Sequence, residues 1–147
     1  EYMIDQSLIT KAENKDLLCL KNNLVLIETS FNYIPLNLFE VIFNLQTNGY
    51  LPVIAHPERY SYMYGNRYFY KLADRGCKFQ LNLLSVVGYY GKECAKITDF
   101  LLKNNLIDFA GSDIHNSGQI GFFNNKIIIK ESRKLAKILE NNVEYFG

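Results

Sequence analysis

Four short strand-like stretches recur at a near-constant interval, each leading to a polar or charged residue, and they constrain the chain more than any other feature. Leu24–Ile27 leads to Glu28, Leu51–Ala55 to His56, Lys78–Leu81 to Asn82 and Ile107–Ala110 to Asp113, so the ends fall 28, 26 and 31 residues apart. Leu24–Ile27 and Leu51–Ala55, short and wholly apolar, suit buried strands. Pro52 is tolerable because it falls at the start of its strand. Between the strands the periodicity is helical. Leu38, Val41, Ile42 and Leu45 stand at i, i+3, i+4, i+7, and Cys94, Ile97, Phe100 and Leu101 mark a second helix from Lys92 to about Asn104. Units of this length imply parallel strands joined by right-handed crossovers. The fold class is therefore α/β, as a TIM-type barrel or an open doubly wound sheet. The phosphate-binding patterns GxGxxG and GxxxxGK[ST] are absent, which favours the barrel.

Local signals refine the elements. Glu1 to Ile4 reads as the tail of a strand, and Ser7 as the N-cap of a short amphipathic helix. Pro35 is expected at the first position of the helix that Gly49 closes. Asn66 is expected to cap a helix that stops at Gly76. The stretches Ser85 to Gly91 and Gly118 to Asn125 read as loops, and Ser132 opens a closing helix through Leu139. With 147 residues the chain offers four or five strands, fewer than a closed barrel of about 200 residues or more contains. It begins Glu1-Tyr2-Met3 with no initiator methionine and reads as part of a longer protein.

Composition excludes several classes of function. A net charge of +1 gives no basis for a nucleic-acid or membrane surface. No run approaches the roughly 20 apolar residues of a transmembrane helix, and no secretory signal opens the chain. Cys19, Cys77 and Cys94 are far apart and odd in number, without a CxxC pair. They read as free thiols in a reducing cytoplasm. No arginine follows any of them at the sixth position, so the loop of cysteine-dependent phosphatases is missing.

Glu28, His56, Asp113 and His115 all stand at or just beyond carboxyl ends of expected strands. In a barrel those ends converge on one face, where active sites are built. Both histidines of the chain are in this set. Carboxylates and imidazoles at such a focus are metal ligands or acid–base groups. In an extended segment Asp113-x-His115 would turn both side chains to one side. Mixed oxygen and imidazole ligands suit Mn²⁺, Fe²⁺ or Zn²⁺ better than Ca²⁺. Arg59, three residues after His56 in a Pro-constrained loop, is placed to take a phosphate bidentately; Arg67 has only loop position in its favour. The run Tyr60, Tyr62, Tyr64, Tyr68, Phe69, Tyr70 either lines a substrate cleft or packs the loop against a helix.

His56-Pro57-Glu58-Arg59-Tyr60 and Gly111-Ser112-Asp113-Ile114-His115-Asn116 resemble two signatures of the bacterial PHP-domain protein tyrosine phosphatases, the manganese-dependent enzymes of capsule and exopolysaccharide operons. The strand ending at Glu28 resembles that family's glutamate-ended strand, and Glu1-Tyr2 an earlier one. The resemblance covers essentially the whole chain. It implies part of a distorted (β/α)7 TIM-like barrel, with residues 1–147 as the carboxyl-terminal portion of one metallophosphatase domain. It also implies Glu1, Glu28, His56, Asp113 and His115 as metal ligands for up to three ions, Mn²⁺ first and Fe²⁺ or Zn²⁺ as alternatives. Arg59, with His56 and Asp113, becomes the catalytic set. The implied reaction is in-line hydrolysis, without a phosphoenzyme, of phosphotyrosine on the tail of a bacterial tyrosine kinase that regulates polysaccharide export. A cytoplasmic protein, without membrane insertion and with homo-oligomerisation left open, is implied. Two features depart from the family. Its opening HxH motif is absent, and no arginine lies between Asn116 and Lys126. The 147-residue chain by itself is accordingly expected to be inactive. The alternatives are another PHP-superfamily phosphoesterase, such as a histidinol-phosphate phosphatase, and a degenerate non-catalytic binding domain.

Overall fold

The computed structural model describes residues Glu1–Gly147. Five strands form one sheet: β1 (Tyr2–Met3), β2 (Leu24–Glu28), β3 (Leu51–Ala55), β4 (Lys78–Asn82) and β5 (Phe109–Gly111). They lie side by side in chain order, and every neighbouring pair is parallel. Helices α1 (Gln6–Glu13), α2 (Leu38–Thr47), α3 (Tyr68–Asp74), α4 (Leu83–Val86), α5 (Gly91–Lys103), α6 (Ser117–Gly121) and α7 (Ser132–Phe146) connect and follow the strands. The sheet is open, since β1 and β5 do not pair with each other. None of the helices is long and apolar enough to cross a membrane.

Strand alternation sorts the apolar side chains onto two faces. Val25, Ile27, Ile54, Phe79, Leu81 and Ala110 join one large core with the buried faces of the helices. Leu24, Val53 and Phe109 form a separate small cluster. In α2 the four periodic residues Leu38, Val41, Ile42 and Leu45 are all essentially inaccessible. That burial, rather than intrinsic propensity, holds so short a helix.

The boundaries differ from the sequence reading where capping geometry decides them. Helix α1 is capped by Asp5, whose Oδ1 accepts from Leu8 N at 3.1 Å; Ser7 lies inside the helix and donates to the same oxygen. Pro35 lies in the turn before α2, its carbonyl accepting from Leu38 N. Asn66 donates to the Tyr62 carbonyl instead of capping α3. Gly49 and Gly76 do end their helices, both at positive φ. At each, the last turn closes by paired bonds, Gly49 N to Gln46 O and Tyr50 N to Leu45 O, Gly76 N to Ala73 O and Cys77 N to Leu72 O.

The fourth long strand is shorter and later than Ile107–Ala110, because Asp108 is diverted. Its carboxylate accepts from Phe79 N at 2.9 Å and pairs with Lys78 Nζ at 2.8 Å. The short helices α4 and α6 overlap the two expected loops and are too brief for a periodicity to show. The closing helix runs seven residues beyond Leu139 to Phe146. Its Asn142 accepts from Ala110 N at 3.1 Å and donates to Ala110 O at 2.6 Å. One side-chain amide thus covers the exposed edge of β5.

Candidate metal and phosphate site

The carboxyl ends of the strands open onto a pocket of about 380 Å³, to which Glu1, Glu28, His56, Arg59, Asp113 and His115 all contribute. These residues arrive from four separate places in the chain, and the parallel sheet brings them to one edge. Met3 pairs with Glu28, and Ile27 with Ile54, so Glu28 and His56 emerge within one residue of each other, whereas Glu1 precedes β1 instead of ending a strand and reaches them through its side chain.

They form a compact group. His56 Nε2 lies 2.8 Å from Glu1 Oε1 and 3.5 Å from Glu28 Oε2. One ligand atom from each falls within 4.8 Å of the other two. His56 is buried and held rigidly. Its N–H donates to Gln80 O, its carbonyl accepts from Arg59 N, and its backbone sits at φ 35°, in the left-handed region. A non-glycine residue held there signals a conformation imposed by its surroundings.

Two carboxylates at one imidazole affect each other. Burial and then the charge of Glu1 push the Glu28 carboxyl above the ordinary range. Burial also pushes Glu1 upward, but the hydrogen bond and charge of His56 outweigh it, and the net direction is downward. The site therefore holds negative charge at close quarters with a single imidazole to offset it. That donor set of two oxygens and one nitrogen fits a first-row divalent cation. The His56 Nδ1 is buried without a hydrogen-bond partner, so the ring's one outward-facing nitrogen is Nε2, directed at the carboxylates.

Asp113 and His115 form a second, looser pair beside the first. Asp113 is not extended but at φ 48°, and this left-handed turn, not strand alternation, brings its Oδ1 to 3.6 Å from His115 Nδ1. The same ring nitrogen lies 2.9 Å from the Asp113 carbonyl. His115 is far more open to solvent, its side chain 71 % exposed against 4 % for His56. Gln119 of α6 accepts from His115 N at 2.6 Å and steadies the loop.

Arg59 joins the two groups. Its guanidinium lies 4.1 Å from the Phe31 ring centre and 4.3 Å from that of Tyr90, and its NH1 is 3.7 Å from Asp113 Oδ2. With both flat faces covered by rings, the guanidinium presents its N–H donors only at its edge. That edge geometry suits the oxygens of a phosphoryl group.

Phe31, Tyr90 and Tyr89 are the aromatic residues of this pocket, and the sequence reading singled out none of them. The strand-end rule that selected Asp113 would have pointed to the Tyr89-Tyr90 pair, which lies in the segment after β4. The tyrosine-rich run plays the packing role instead. Tyr60 is fully buried, with its hydroxyl accepting from Thr29 N. Tyr62 donates to Ser30 O, and Tyr64, Phe69 and Tyr70 gather around Phe100. Arg67 is exposed and outside the pocket.

The chain is similar to known proteins of one family. The family described as "Capsular polysaccharide synthesis, CpsB/CapC" matches residues 1–121. Tyrosine-protein phosphatase YwqE of Bacillus subtilis (strain 168) is 38 % identical over 93 residues, covering 63 % of this chain and 37 % of YwqE. CapC of Staphylococcus aureus is 31 % identical over 118 residues, 79 % of this chain and 46 % of CapC. The whole chain also superposes on a chain from the crystal structures of YwqE and of CpsB from Streptococcus pneumoniae, described as metal-dependent tyrosine phosphatases. There the TM-score is 0.74 at 29 % identity, and 56 % of the solved chain is covered. The chain thus spans less than half the length of these two curated relatives.

Proposed function

The chain belongs to the CpsB/CapC family of capsular polysaccharide synthesis, and we propose that it supplies one part of the active site of a metal-dependent protein tyrosine phosphatase. The observation that carries this reading is the convergence of Glu1, Glu28 and His56 within 4.8 Å in the same pocket as Arg59, Asp113 and His115. In this reading residues 1–147 are the carboxyl-terminal portion of a single metallophosphatase domain. Glu1, Glu28 and His56 would hold one divalent cation, and Asp113 with His115 would offer ligands to a second. Mn²⁺ is the ion proposed first, since the set is mostly carboxylate with imidazole. Bound cations would lower the pKa of an attacking water and neutralise phosphoryl oxygens.

The chain's own residues account for the remaining steps. The edge of Arg59, clamped between Phe31 and Tyr90, binds and orients the phosphoryl group. Asp113 Oδ2, facing that guanidinium, keeps it turned toward the pocket until phosphate takes its place. Tyr90 and Phe31 also form an apolar wall against which a phenyl ring can lie, which favours a phosphotyrosyl substrate over a small polar phosphate ester. We assign as substrate the phosphotyrosine tail of a tyrosine kinase that regulates capsule synthesis, in the cytoplasm.

Metal binding is the step this chain can be tested on directly. After dialysis against Mn²⁺, the chain is expected to retain metal and His56→Ala to retain clearly less. A polypeptide extended to the relatives' length is expected to release phosphate from a phosphotyrosyl peptide and not from histidinol phosphate. Equal metal retention by the His56→Ala chain, or a preference for histidinol phosphate, would overturn the proposal.

A further inference from the structure

Asn82 ends β4 between the two groups of candidate ligands, yet no role follows for it from strand-end position alone. It is 2 % exposed, and every hydrogen-bonding atom of its side chain is engaged. Oδ1 accepts from Leu84 N at 2.9 Å, capping α4. Nδ2 donates to Asp113 Oδ2 at 2.9 Å and to the Tyr90 hydroxyl at 3.3 Å. Its backbone N–H donates to the Glu58 carboxylate at 3.0 Å.

The amide orientation is fixed by chemistry. A backbone N–H can only donate, so the atom facing Leu84 must be the oxygen. A carboxylate, when ionised, can only accept, so the atom facing Asp113 must be the nitrogen. Rotating the amide by half a turn would place donor on donor and acceptor on acceptor inside a buried site, each mismatch costing about 1–3 kcal/mol.

We propose that Asn82 is the positioning residue that sets the metal ligand Asp113 and the phosphate-binding Arg59 in register with one another. This rests on the metal-dependent reading of the pocket given above. One hydrogen of Nδ2 holds Asp113 Oδ2 and leaves Oδ1, the oxygen beside the His115 ring, as the free ligand atom. The other hydrogen holds the Tyr90 hydroxyl, and the Tyr90 ring is one of the two plates that clamp Arg59. A single amide on the rigid sheet thereby places both a cation ligand and the wall of the phosphate subsite. Outer partners of this kind change metal affinity by about 10–100-fold when removed.

Serine at position 82 separates capping from positioning, because its hydroxyl can accept from Leu84 N but is too short to reach Asp113 or Tyr90. Two measurements on the full 147-residue chain test the proposal. In the metal-free protein, the Asn82 side-chain amide signal in a ¹H–¹⁵N spectrum, assigned by its loss in Asn82→Ser, is expected to shift in both Asp113→Ala and Tyr90→Phe. In Mn²⁺ titrations, Asn82→Ser is expected to bind at least tenfold more weakly than the unsubstituted chain while unfolding at nearly the same temperature. Unchanged Mn²⁺ affinity in Asn82→Ser, or an amide signal indifferent to both substitutions, overturns it. If the unsubstituted chain binds no Mn²⁺, the metal reading of this chain fails, and the amide signal alone decides whether Asn82 holds the pair.

Discussion

The two halves of the pocket are built differently although they hold the same kinds of side chain. The Glu1–Glu28–His56 half grows from adjacent strands within the sheet, and its imidazole is buried, fixed at both backbone atoms and aimed at two carboxylates. The Asp113–His115 half hangs from the short edge strand β5. It depends on side-chain amides for its shape: Asn82 on Asp113, Gln119 on His115 N and Asn142 on β5 itself. A ladder of backbone bonds positions Glu28 and His56 in the first half. The second half can be loosened by single substitutions far from the ligands.

The largest effect that would break this comparison is expected from His56→Ala, which removes the one nitrogen of the compact group. Mn²⁺ affinity should fall by about 100-fold or more, beyond the range of outer-partner effects, as read by calorimetric titration. A loss no greater than that of His115→Ala would erase the distinction between the halves.

Glu58, two residues after His56, is fully buried and should show it through pH. Burial raises its carboxyl from the ordinary 4.5 to about 7, against the opposing hydrogen bond from Ser85. Oε1 accepts from Ser85 at 2.6 Å and from Asn82 N, but Oε2 has no partner, so ionisation leaves an uncompensated charge inside. The folded state then keeps a proton that the unfolded chain has released. Stability is fully present below about pH 4.5, falls as pH rises, and this contribution is gone above about pH 7. Glu58→Gln should remove that slope and stabilise the chain by about 2 kcal/mol at pH 8, with little change at pH 4. Denaturant unfolding at the two pH values checks this, and an unchanged slope would refute it.

His115→Ala should cost about tenfold in Mn²⁺ affinity, one contact to an exposed ligand being worth about 1.4 kcal/mol. A loss as deep as that of His56→Ala would mean that both halves serve one ion. The smallest effect belongs to Asn142→Leu. Freeing the Ala110 N–H and carbonyl at a sheet edge should lower stability by about 1 kcal/mol and speed exchange of the Ala110 amide. Unaltered exchange would show that β5 needs no side-chain support.

The strands ending at Glu28 and His56 were legible because a buried parallel strand has no polar face to show, and the one ending at Asn82 because it falls at the same spacing. The core face of α2 was legible because burial obeys a 3.6-residue period. Asp113 was placed correctly at a strand end but for an incomplete reason, since its approach to His115 comes from a left-handed turn. Phe31, Asn82 and Tyr90 were missed as site residues. Each acquires its part from a neighbour more than 20 residues away, Phe31 and Tyr90 from Arg59, Asn82 from Asp113.

By itself, then, the sequence determined the parallel α/β repeat and the residues delivered to its carboxyl edge, because periodicity and chain-breakers act over a few residues. Only the tertiary structure decided which of those residues meet. Strand register, two left-handed turns and one fully bonded amide govern distances between segments, and none of them leaves a mark in local sequence.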